Sequence, residues 1–127
     1  LTSTPVSRRT SPVKQHGDPP GFADGLLVGL LIASGHLGGD ARQPQITLRM
    51  HVRHRELFVW LLREVAGSRV YGPYAHGGRE YYQWMARGPA LRDRVGPLLE
   101  SSALEEIDPP TYQRFAKMKE RYGEKRS

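Results

Sequence analysis

The chain has no cysteine among its 127 residues, which excludes disulfides, thiolate zinc sites and cysteine nucleophiles. Aromatic residues make up 9% and hydrophobic residues 38% of the sequence, enough apolar material for one modest core in a single domain with tails. Its most apolar run, residues 26–35, is half the roughly 20 residues that span a bilayer, so no membrane segment is expected. No apolar stretch of the secretory kind opens the sequence. Acids are scarce as well: 13 Asp and Glu face 19 Lys and Arg, giving a net charge of +6 and a pI near 10.0. Such an excess attracts polyanions, nucleic acid or anionic lipid, and speeds association with them.

The apolar run itself, Leu-Leu-Val-Gly-Leu-Leu-Ile-Ala-Ser-Gly, is apolar or glycine at nine of ten positions and has no charge and no proline. It predicts a helix over residues 22–34, with Asp24 favourable in the first turn and Gly35 as the stop. Glycine in mid-helix costs roughly 1 kcal/mol against alanine, so Gly29 implies a packing reason. Gly29 and Ala33, one turn apart, would let a second helix approach closely; the plainer reading is one buried core helix.

Residues 1–20 contain four prolines, no aromatic and few large aliphatics, so they read as a flexible basic arm in which Arg8, Arg9, Lys14 and His16 are free to meet phosphate. After the helix, residues 36–40 read as a short strand or turn. Residues 43–52 are the clearest strand: Ile46, Leu48, Met50 and Val52 alternate with Gln45, Thr47, Arg49 and His51. A second helix is predicted over residues 55–66, where Leu57, Trp60, Leu61 and Val65 make an apolar stripe. Residues 68–74 and 79–87 read as a third and fourth strand joined at His76-Gly77-Gly78, and residues 89–101 as a third helix kinked at Gly96-Pro97. The order is αββαββα, an α+β layer with a four-stranded antiparallel sheet and its helices on one face. The other face is left open, with Gln45, Thr47, Arg49, His51, Arg69, Tyr71, Arg79, Tyr81, Gln83 and Arg87, and it carries no acid. Residues 104–127 read as a basic helix or tail, with Thr111 as the cap of a helix carrying Tyr112, Phe115 and Met118.

Leu27-Val28-Gly29-Leu30-Leu31-Ile32-Ala33-Ser34-Gly35 resembles the nine-residue signature of the LAGLIDADG homing-endonuclease family. Leu27, Gly29, Leu30, Ala33 and Gly35 match it outright and Leu31 is a conservative change. The resemblance extends over about residues 22–101 through the same order of elements, and residues 21–103 form the expected domain between the basic arm and the C-terminal segment. It implies a half-domain whose saddle-shaped sheet lies on the DNA major groove. A single signature further implies a homodimer through the first helix, by way of Leu26, Gly29, Leu30 and Ala33.

The signature also departs from the family at its two acidic positions, which are Ile32 and Ser34. The second departure removes the carboxylate that holds the catalytic metal, so no catalytic residue, metal ligand or cofactor is expected, and Mg2+ would matter only if cleavage survived. Asp40 and His36 are weak substitutes. The five histidines, His16, His36, His51, His54 and His76, show no zinc spacing. The first expectation is therefore a sequence-selective double-stranded DNA-binding protein that has lost cleavage, cytoplasmic and DNA-associated, with organelle import left open. The alternatives are an active endonuclease using another acid, an RNA-binding or maturase-like protein, and a structural subunit of a nucleoprotein assembly.

Overall fold

The computed structural model describes residues 20–39 and 42–123. The basic arm, Asp40 and the last four residues lie outside the described residues.

Helix α1, Phe22–Ser34, follows the apolar run. Leu27 and Leu31, one turn apart, are fully buried, and each contributes roughly 1.5–3 kcal/mol by leaving water. Gly35 does end the helix, but in extended rather than left-handed backbone (φ −75, ψ 150), so the chain enters strand β1 (Gly35–Gly39) directly. Glycine is needed there for close approach: a Cβ would lie 2.7 Å from the Leu31 carbonyl oxygen.

Strand β2 is Pro44–His51, and a 3-10 turn, Val52–His54, leads to helix α2, Arg55–Glu64. Strands β3 (Arg69–His76) and β4 (Arg79–Arg87) form a hairpin. All pairings are antiparallel and the order is β1-β2-β4-β3. Strand β3 does not stop at Gly72-Pro73. The ladder shifts register between Tyr71 and Tyr74, and Gly72, with φ at 110, accommodates the bulge so that pairing resumes to His76.

The helix expected over residues 89–101 is present in altered form. Ala90–Val95 is π-helical and runs into the short α3, Gly96–Leu99. The Gly96 N–H reaches five residues back to the Leu91 carbonyl, and Pro97, with no N–H to give, resets the ladder. Helix α4, Ser102–Ile107, is capped by the Ser101 hydroxyl, which accepts the Leu104 N–H at 3.2 Å. Helix α5 is Pro109–Gly123. Thr111 is not its cap: it lies inside the first turn, fully buried, and donates to the Asp108 carboxylate at 2.5 Å.

One core holds these elements together. Ile46, Leu48, Trp84 and Ala86 from the sheet meet Leu27, Leu31, Phe58, Leu61, Val95 and Leu99 from the helices. Phe115, Met118 and Tyr122 bring α5 into the same core. The Trp84 indole N–H is buried and finds no acceptor among the described residues, a cost of about 1–3 kcal/mol. The ring's burial, roughly 150–250 Å² at about 25 cal/mol per Å², is worth more. Arg94 ties three elements at the edge of this core. It contacts Asp24 of α1 at 3.1 Å and Glu64 of α2 at 3.4 Å, and its Nε donates to the Glu64 carbonyl, an open end of α2, at 3.2 Å.

Two substitutions grade these contributions. Leu31→Ala should cost about 3 kcal/mol by opening a core cavity, whereas Arg94→Ala, whose partners are partly solvated, should cost only about 1 kcal/mol. Urea denaturation of both variants checks the ranking.

Candidate functional site

Alternation along the strands means that burying Ile46, Leu48, Trp84 and Ala86 turns their neighbours the other way. The register then sorts those neighbours into rows. Arg87 faces Gln45, which faces Gly38; Arg69, Met85, Thr47 and His36 follow; then Tyr71, Gln83 and Arg49; then Tyr74, Tyr81 and His51; and last His76 and Arg79 at the hairpin end. The ten residues assigned to the open face from sequence all lie on it, and nine reach solvent. Thr47 is the exception. At 9% exposure it forms the floor between His36 and Met85.

Three members of this face escaped the sequence reading. His36 was obscured because β1, with three glycines in five residues, resembles a turn. Tyr74 was missed because the bulge reverses its side of the strand, and His76 because pairing continues past residue 74.

The centre of the face is pre-arranged. Arg49 Nε donates to Gln83 Oε1 at 2.6 Å, which holds the guanidinium while its two terminal nitrogens and the Gln83 amide nitrogen stay available. The same guanidinium lies 5.7 Å from the Tyr81 ring centre, and Tyr74 stacks obliquely on Tyr81 at 5.5 Å. His51 Nδ1 accepts the Arg53 N–H at 3.0 Å, so a neutral ring carries its proton on Nε2. At the hairpin end a depression of about 540 Å³ gathers Arg49, His51, Arg53, His76 and Arg79 around Tyr81 and Glu80. Glu80 is the single acid in any of the four strands, and it pairs with Ala75 on the opposite set. The open face is therefore predominantly cationic, with Glu80 bordering it at the hairpin end.

A second feature is the outer side of α1. Leu26 and Leu30 are half-buried, Gly29 and Ala33 are exposed, and Phe22 is 46% exposed. A Cβ built on Gly29 meets nothing within 4 Å, so no helix among the described residues approaches it. Close packing among the described residues does not explain this glycine.

The C-terminal end of α1 does not suit a divalent ion. Ser34 is exposed and offers a neutral hydroxyl where a hard cation needs carboxylates, and no group of three His, Cys, Asp or Glu side chains forms among the described residues. Asp40, the acid nearest in sequence, lies outside them. Among the described residues no helix is long and apolar enough to cross a membrane.

No protein-family model and no curated protein matches this sequence. Among solved structures the chain is similar to the group I intron-encoded homing endonuclease I-CeuI complexed with DNA, at a TM-score of 0.60 and 16% identity. The match covers 76% of this chain and 52% of that one, so this chain spans about half the length of that structure. The likeness establishes a homing-endonuclease-like fold.

The open face makes a direct forecast about polyanions. Replacing Arg49, Arg69 and Arg79 together by glutamine should lower the salt concentration that elutes the protein from immobilised heparin, with no fall in Tm. A drop in Tm would instead assign these side chains to folding.

Proposed function

We propose that this chain is a sequence-selective double-stranded DNA-binding protein, derived from a LAGLIDADG homing endonuclease, that no longer cleaves. The observation that carries the reading is the cationic face built around the Arg49–Gln83 pair, on a sheet whose fold resembles that of an endonuclease solved with DNA. A B-form major groove is about 12 Å wide and admits a two-stranded ribbon. Here that ribbon is β2 and β4, with Arg49 and Gln83 at its middle. An arginine fork pairs with guanine O6 and N7, and a glutamine amide pairs with adenine. Arg69 and Arg87 then hold phosphate, which fixes position without reading sequence. The deep, narrow major groove of A-form RNA would not admit the ribbon, so duplex DNA is the better partner.

The protein works as a homodimer through the free side of α1, with Leu26, Gly29, Leu30 and Ala33 in the contact. Two facts support this: the side chains there are apolar, and Gly29 leaves open space. A two-fold pair of saddles would read a pseudo-palindromic site. Cleavage is lost because Ser34 supplies no charge at the position where the family binds metal, and no step through Mg2+ is derived for this chain.

Selection from a random duplex pool, followed by binding titrations, tests the reading. Arg49→Ala should cost about 1–3 kcal/mol on the selected site and relax preference at one base position. Incubating the protein with Mg2+ and a plasmid bearing that site should leave the plasmid intact; a specific double-strand break would overturn the loss of cleavage. Sedimentation should give the mass of two chains for the native protein and of one chain for Gly29→Leu.

A further inference from the structure

We propose that helix α5 carries a second duplex-contacting surface, a phosphate strap that runs past the β1 edge of the sheet. The inference rests on the reading of the open face as the DNA-binding surface and adds to it.

The strap is built from Arg114, Lys117 and Arg121, which recur at i, i+3 and i+7 and so share one side of α5. All three are exposed, and none is ion-paired with another described residue. The contrast with Lys119 is informative. On the other flank of the helix, that lysine is paired with Glu100.

The roll of α5 is set by burial. Thr111, Phe115, Met118 and Tyr122 point into the core, which turns the three cations toward β1. Gly39 secures this dock: a Cβ there would lie 2.8 Å from the Tyr122 hydroxyl oxygen and would also clash with the Gln43 carbonyl oxygen. Between helix and strand runs a groove of about 310 Å³, whose wall on the strand side is Leu37 and Gly38.

Gly38 connects this groove to the open face. It ends the row Arg87, Gln45, Gly38, and β1 is an edge strand with nothing paired beyond it. Gly38 has no side chain of its own, and a Cβ there would lie 3.1 Å from His36 Nε2. The His36 imidazole therefore borders this row where it reaches the sheet edge, with Arg114, Lys117 and Arg121 on the far side. A ribbon seated in a groove has a phosphate backbone along each of its margins, and these three cations stand beside one margin. Arg114 donates to Thr111 Oγ1 at 3.2 Å and Arg121 lies 5.5 Å from the Tyr122 ring centre, and none of the three has a carboxylate partner among the described residues. They supply affinity, not sequence, because a phosphate is the same at every base pair.

The test uses the full chain, a random-sequence duplex and the selected duplex, with binding measured across salt concentrations. Each phosphate contact contributes about 0.9 to the slope of log K against log salt, so the triple variant Arg114→Gln, Lys117→Gln, Arg121→Gln should flatten the slope by about 2–3 on both duplexes. The ratio of the two affinities should not change. The double variant Arg114→Lys, Arg121→Lys, which keeps the charges, should retain the native slope. An unchanged slope in the triple variant overturns the strap, as does an equal loss in the charge-keeping variant. If the triple variant instead loses only its attachment to phosphatidylserine vesicles, the surface serves a membrane and the strap is again overturned. Failure of the native protein to bind any duplex would overturn the reading of the open face itself, a result distinct from these.

Discussion

The structure depends on a sheet with two chemically opposite sides. Ile46, Leu48, Trp84 and Ala86 are buried almost completely beneath the helices, and their register partners hold the four strands in antiparallel alignment. Because side chains alternate with a period of two, a slip of one residue would bring Arg49, Gln83 and Arg87 into the core. Burial of a handful of apolar side chains thus dictates which cations reach solvent. The helices need this arrangement as much as the strands do: Leu27, Phe58, Val95 and Phe115 find their contacts in one cluster over the covered side. Arg94 then links α1, α2 and the π-helical turn at its margin.

What the open side lacks matters as much as what it holds. Glu80 is the single acid in the four strands, and it borders the open side only at the hairpin end. The open side gathers cations and aromatic rings, while among the described residues the last residue of α1 is the neutral Ser34. The homing-endonuclease-like fold and the altered signature are compatible with the proposed reading of a chain that holds a duplex without cutting it.

Much of this was legible in the sequence because burial imposes periodicity. The charge-free run showed α1 to its last residue, and the alternation of residues 43–52 and 79–87 separated the two sides of the sheet. The less legible parts are those where local chemistry has more than one outcome. Gly35 looked like a left-handed stop, but its role is to let the strand pass the Leu31 carbonyl. Gly72-Pro73 sits at a bulge within β3, which changes the side on which Tyr74 lies and lets pairing run on to His76, and neither follows from simple alternation. Gly96-Pro97 announced an irregular helix without revealing that the irregularity is a wide π-turn before it. Thr47 had the right parity for the open face, yet its exposure depends on Met85 and His36 across two strands, which no local pattern encodes. The roll of α5, and hence the place of its cations, follows from Tyr122 meeting Gly39 more than eighty residues away.

The most direct measurement of the central claim is covalent footprinting of tyrosines with and without a selected duplex. Tyr71, Tyr74 and Tyr81 lie on the open side of the sheet, while Tyr112 lies on α5 beside the core. Protection of the first three with Tyr112 unchanged is the expected result. Protection of Tyr112 with Tyr71, Tyr74 and Tyr81 still reactive would place the duplex elsewhere and contradict the assignment of the open face.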